Sequence, residues 1–186
     1  MKNFKISILA AATILFATSC SNDPEPVNEE EVITTVVLEF SRNGAVAATL
    51  TSKDADGDGP AAPQVTQTGR LNRSLVYTGT VRFLNELENP AEDKTAEIRA
   101  EDDEHQVFFQ APAGLGVFTT TDFDRNRNPL GLSFGFTAGT ASTVQDLIVT
   151  LRHKLMKTAA GVAAGNIANA GGSTDAEVTF KVTLAP

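Results

Sequence analysis

Asp54, Asp56 and Asp58 fall at every second position of KDADGDG, Lys53 to Gly59, and a glycine follows the last of them. Three carboxylates so spaced on a tight turn can converge on one hard cation. They match the first three ligand positions and the turn glycine of an EF-hand loop. The match stops there. Val65 stands where the twelfth-position glutamate would chelate, and Pro60 and Pro63 interrupt the loop. Two readings stay open: a calcium site completed by carbonyls, water or a distant acid, and a solvated acidic turn between two strands.

A second acidic loop, TDFDRNRNPLG from Thr121 to Gly131, again alternates potential oxygen ligands, at Asp122, Asp124, Asn126 and Asn128. Arg125 and Arg127 offset its charge, so it reads first as a hairpin loop and second as a metal or ligand loop. GLSFG, Gly131 to Gly135, has the G-x-S-x-G spacing of serine hydrolases, and Asp146 and His153 follow in hydrolase order. A nucleophile elbow needs a strand, a sharp turn and a helix. Ser133 lies instead in an alternating run, so no catalytic residue is assigned. The two histidines, His105 and His153, have no histidine at zinc-ligand spacing along the chain. Glu101 to Glu104 reads as a solvated charge run. Gly161 to Gly172 lacks the Lys-Ser/Thr of a phosphate loop and reads as a flexible connector.

The first nineteen residues carry Lys2 and Lys5, then an apolar run from Ile6 to Ala17. That is the pattern of a secretory signal. Ala17-Thr18-Ser19-Cys20 resembles a lipoprotein signal-peptidase site, with Ala17 in place of the usual leucine. Cys20 is the only cysteine, so no disulfide forms within the chain, and thioether lipidation accounts for a lone thiol in an exported protein. Acyl chains would anchor the protein to a membrane without crossing it. Residues 20–31, rich in proline and acid, read as a disordered tether. Ser21 after the cysteine points to the outer membrane, at the periplasmic face or the cell surface.

The net charge is −8, and removal of Lys2 and Lys5 with the signal takes it to about −10. Such a balance disfavours nucleic acid and anionic lipid as partners. Residues 32–186 suit one domain with one core. Their dominant pattern is alternation with period two: Val32, Val36, Leu38 and Phe40; Val46, Ala48 and Leu50; Leu75, Tyr77, Val81 and Phe83; Leu130, Leu132, Phe134 and Phe136; Leu147, Val149 and Leu151; Val178, Phe180, Val182 and Leu184. One apolar and one polar face per strand predicts antiparallel sheets packed on each other. The expected fold is mainly β, an immunoglobulin-like antiparallel sandwich of about eight strands. One short acidic helix is expected within Asn89–His105, capped by Asn89 with Pro90 and Glu92 behind it, and touching the sandwich through Ile98.

Taken together, NEEEVITTVVLEF, DADGDG, NPAED followed by DEHQVFF, TDFDRNRNPLGL and TAAGVAAGNIANAGGSTDAEVTF resemble a family of small, uncharacterised Bacteroidota lipoproteins. Some members are labelled with a type 1 periplasmic binding fold, a longer doubly wound α/β protein. The alternating strands predict a sandwich instead. The resemblance brings no catalytic residues. The expected function is a non-catalytic binding or interaction module at the outer membrane, calcium-stabilised if the first loop binds, with a protein or glycan ligand. A small secreted hydrolase and a structural envelope component are the alternatives.

Overall fold

Alternating apolar residues build two facing sheets. A computed structural model describes residues 31–57 and 59–186. Along the chain run β1 Thr35–Arg42, β2 Ala45–Lys53, β3 Gln64–Gly69, β4 Leu71–Asn72, β5 Val76–Asn85, β6 Glu92–Asp93, α1 Thr95–Ala100, β7 His105–Gln110, β8 Gly116–Thr120, β9 Ser133–Ala138, β10 Gln145–His153, β11 Ser173–Val182 and β12 Leu184–Ala185. The larger sheet has the order β3-β2-β1-β5-β9-β8, with β6 pairing the end of β5. The smaller has the order β11-β10-β7, and every pair in both is antiparallel. β4 and β12 form a two-residue parallel pair.

The chain is therefore an antiparallel β-sandwich, with twelve strands among the described residues, three of them only two residues long. The inner faces meet over one core. Val36, Leu38, Phe83 and Phe136 of the larger sheet face Val107, Leu147, Val149, Leu151, Phe180 and Val182 of the smaller. Each such side chain contributes about 1.5–3 kcal/mol on burial. No helix among the described residues is long and apolar enough to cross a membrane.

Three expectations need correction. The helix is short, Thr95–Ala100, because Glu92 and Asp93 still pair with Asn85 and Leu84 of β5. The capping sequence at Asn89 is therefore followed by strand. Asp93 Oδ1 accepts the Thr95 N–H at 3.1 Å, and Ile98 is buried against the sandwich as expected. β3 is an edge strand of mostly exposed residues, so it carries no alternating signal.

The glycine-rich segment after β10 is built rather than slack. It makes two 3-10 turns, Val162–Ala164 and Ile167–Asn169. Leu155, Val162 and Ala170 bury with Phe108 in a small core of their own. Phe108 points outward from β7 while Val107 points inward, so this lobe covers the outer face of the smaller sheet. Gly161 and Gly165, at φ +83° and +87°, make the reversals that a side chain would resist.

Candidate metal centre and acidic cleft

His105 and His153 are far apart in sequence and opposite each other in space. β7 and β10 pair with His105 in register with His153, and the two rings stack at 4.4 Å with 11° between their planes. Alternation aims both inward. His153 shares the face of Leu147, Val149 and Leu151, and His105 that of Val107 and Phe109.

Asp175 joins them through an irregularity. Leu151 pairs with Ala176 and Arg152 with Thr174, so Asp175 is the extra residue of a β-bulge in β11. A bulge re-aims the side chain it carries. Asp175 would otherwise point outward with Glu177 and Thr179; its side chain is instead fully buried. Glu31 arrives from the segment before β1, which is pinned where the Thr34 N–H donates to Leu84 O and the Asp54 N–H donates to Thr34 O.

The result is a buried cluster of four ionisable groups. His105 Nε2 lies 3.4 Å from Asp175 Oδ2 and 4.0 Å from Glu31 Oε1. His153 Nδ1 lies 3.8 Å from Asp175 Oδ1, and its Nε2 3.3 Å from Glu104 Oε2. The other nitrogen of His105, Nδ1, is 3.2 Å from the Glu101 carbonyl oxygen. A carbonyl can only accept, so Nδ1 carries a hydrogen, and Nε2 faces the carboxylates either as a bare lone pair or as an imidazolium.

Ten buried side-chain nitrogens and oxygens lack a hydrogen-bond partner among the described residues, and six belong to Glu31, His105, His153 and Asp175. Buried polar atoms are normally satisfied. Their concentration here sets two carboxylates against two imidazoles, an arrangement that a shared proton or a cation would relieve.

Proton binding shows the same need. Burial pushes Glu31 up to about 7 against the opposing pull of His105. Burial works to lower His105, but Asp175, the Glu101 carbonyl and Glu31 together hold it above its ordinary 6.5. Folded protein thus keeps protons that unfolded chain has released. Glu31 contributes stability below its ordinary 4.5, and that contribution fades as pH rises towards 7. The contribution of His105 is present below 6.5 and is lost as pH rises through its folded value. Asp124 has the opposite sign: its folded value is lowered, so its contribution is lost only as pH falls below 3.8. Metal-stripped protein is expected to melt at a lower temperature near pH 8 than near pH 5.5, and Glu31→Gln should flatten the dependence. Melts in chelator across that range check this; a curve that rises with pH would contradict it.

Glu31 and Asp175 also line the inner wall of an open cleft of about 530 Å³. Its wall includes Asp54, Asp56 and Glu177, with apolar Ile33, Leu87 and Val178, and contains no aromatic residue among the described residues. The first acidic loop is therefore a rim of this cleft. Asp54 Oδ1 accepts the Asp56 N–H at 3.3 Å and Asp56 Oδ2 accepts the Ala61 N–H at 3.2 Å. A Cβ on Gly59 would lie 2.0 Å from Asp56 Oδ2, so glycine is what lets this turn close. Asp58 lies outside the described residues, as does Cys20. Among the described residues, Asp54 and Asp56 do not converge with a third carboxylate or histidine.

The second loop is occupied by its own chain. Asp124 Oδ1 accepts the N–H groups of Asn126 and Asn128 at 2.8 and 2.7 Å. Its Oδ2 accepts from Asn128 Nδ2 at 3.2 Å and from Lys157 Nζ at 3.0 Å. Burial opposes its charge, yet these donors hold its carboxyl below the usual range. Asp122 Oδ1 accepts the Gly131 N–H at 2.9 Å. The Asp/Asn alternation is accounted for by turn closure around a lysine ammonium.

The serine-hydrolase order does not assemble. Asp146 and His153 lie seven residues apart on β10, about 23 Å. Asp146 pairs instead with Lys181 at 2.6 Å, and Ser133 opposes Thr80 within the larger sheet. Sequence reading missed the His/Asp/Glu cluster. The inward parity of both histidines was a usable signal; the bulge that turns Asp175 inward was not. No family model, curated protein or solved structure matches the chain.

Proposed function

We propose that the protein is an exported, lipid-anchored binding module of the lipoprotein type it resembles, that it performs no catalysis, and that its acidic cleft takes a cationic ligand. The carrying observation is the wall of Glu31, Asp54, Asp56, Asp175 and Glu177, in which the oxygens of Glu31 and Asp175 are buried without donors. A ligand that brings positive charge relieves that deficit, and Ile33, Leu87 and Val178 suit aliphatic segments between charges. A glycan is less well served, because the described residues of the cleft offer no aromatic platform. Lipidation of Cys20 would set the cleft near a membrane. Eleven residues lead from Cys20 to Glu31, a reach of at most about 40 Å.

The test is a titration of the exported, processed protein with spermidine, followed by amide NMR. Shifts are expected at Ile33, Leu87 and Val178, weakening as salt rises and in Glu177→Gln. Absence of shifts at those residues in low salt would remove the cleft as a cation-binding site. Calcium melts of the same protein decide the rim loop. A stabilisation abolished by Asp56→Ala adds an oxygen-ligand site there, and identical melts with calcium and chelator leave the loop as a closed turn.

A further inference from the structure

We propose that Glu31, His105 and Asp175 form a buried site for a divalent first-row transition metal of the zinc type, behind the wall of the cleft. This rests on the cleft reading and deepens it: the same buried oxygens of Glu31 and Asp175 are joined by His105 Nε2. One ligand atom from each of the three residues lies within 4.8 Å of the others. A zinc ion about 2.0–2.2 Å from each ligand separates tetrahedral neighbours by about 3.4 Å. Asp175 Oδ2 and His105 Nε2 already have that separation, and Glu31 Oε1 lies 4.0 Å from the same nitrogen.

The second shell fits as well. Metal-bound histidines usually donate their other N–H to a carbonyl or carboxylate. His105 Nδ1 does this to Glu101 O, which directs the Nε2 lone pair at the two carboxylates. Without a proton or a metal, that lone pair faces carboxylate oxygens across a fully buried gap. The 3.4 Å contact to Asp175 is longer than the 2.7–2.9 Å of a charge-assisted hydrogen bond. The imidazole sets the metal class: calcium and magnesium take oxygen ligands, whereas imidazole with carboxylates suits zinc and its first-row neighbours. His153, stacked on His105, holds the ring in plane.

Glu31 gives the site a structural consequence. It is the ligand closest to the tether, so a bound metal clamps the entry of the chain to β7 and β11.

The experiment uses the exported, processed protein, stripped with chelator and dialysed against zinc, with bound metal counted by mass spectrometry. About one zinc per chain is expected, with a melting temperature raised by about 5–11 °C at a hundredfold excess over Kd. Asp175→Asn and Glu31→Gln, close to isosteric, should lose the metal, as should His105→Ala if it folds. Asp146→Asn should keep it, because Asp146 is an exposed carboxylate paired with Lys181, seven residues along β10 from His153. Zinc uptake unchanged in Asp175→Asn and Glu31→Gln would overturn the assignment, as would a wild-type protein that takes up no zinc. Spermidine binding without zinc uptake would sink this inference and leave the cleft reading intact; zinc uptake without spermidine shifts would do the reverse.

Discussion

Lys157→Met is expected to lower the stability of the protein by about 3 kcal/mol, a fall in Tm of about 6–12 °C. Lys157 is only 4% exposed. Its ammonium donates to Asp102 O at 2.5 Å, to Asp124 Oδ2 at 3.0 Å and to Pro129 O at 3.2 Å. It therefore ties the lobe after β10 to the turn before β7 and to the 121–131 loop. Burial lowers its proton affinity and Asp124 opposes the loss. Removing the lysine leaves Asp124 buried with its charge no longer paired, and breaking such a pair from one side costs about 3–5 kcal/mol. The lower end applies because two backbone N–H groups still serve the carboxylate. Asp124→Asn in the same background should cost less than the sum of the single changes, since the amide oxygen keeps both N–H bonds and no charge is stranded. Chemical denaturation of the two single variants and the double variant measures the coupling. A Lys157→Met protein within about 0.5 kcal/mol of wild type would mean that the pair is incidental.

The legible parts of this protein were those governed by short-range pattern. β5, β10 and β11 followed their alternation: Tyr77, Val81, Phe83, Leu147, Val149, Leu151, Phe180, Val182 and Leu184 are buried, Leu75 and Val178 half-buried, while Val32, expected on the inward face before β1, is exposed. What was not legible depended on register. A single bulge between Thr174 and Ala176 inverts the parity of Asp175, and no local feature of GGSTDAEVTF announces it. A second irregularity, in the β1–β2 pairing, skips Ala47, and Val46 beyond it is exposed although it shares parity with buried Ala48 and Leu50. The Asp124–Lys157 pair spans 33 residues, and a polar pairing at that distance leaves no periodic trace. Asn89-Pro90 was misread because capping chemistry and strand entry use the same residue types. In the site, the histidines were readable as inward-facing strand residues; their carboxylate partners came from a bulge and from a segment outside any strand.

These two kinds of order separate in what they do. Regular alternation supplies the core and hence most of the stability. The departures from it, at Asp175 and in the segment holding Glu31, bring charge into the space between the sheets, where it costs stability unless a proton or cation is present.

The largest loss from the core itself is expected at Phe134. Its ring meets Phe40 edge-on at 5.2 Å and packs against Phe109 at 5.0 Å and Phe118 at 5.3 Å. Gly79 lies opposite it on β5, and a Cβ there would sit 2.3 Å from Phe134 Cζ. The ring thus fills the space that a side chain at position 79 would take. In Phe134→Ala that space has no occupant from either strand, and the paired sheet cannot collapse into it. The expected cost is about 3–5 kcal/mol, a fall in Tm of about 6–20 °C. Phe123→Ala, at a ring that is 58% exposed, should stay within about 0.5 kcal/mol and serves as control. Phe109 lies four residues along β7 from His105, about 13 Å away. The Phe134→Ala loss should therefore be the same near pH 5.5 and near pH 8, with the slope set by Glu31 and His105 unchanged. Denaturation curves at both pH values test this directly. A Phe134→Ala protein that also lost the pH slope would show that the buried charges and the aromatic core form one cooperative unit rather than two.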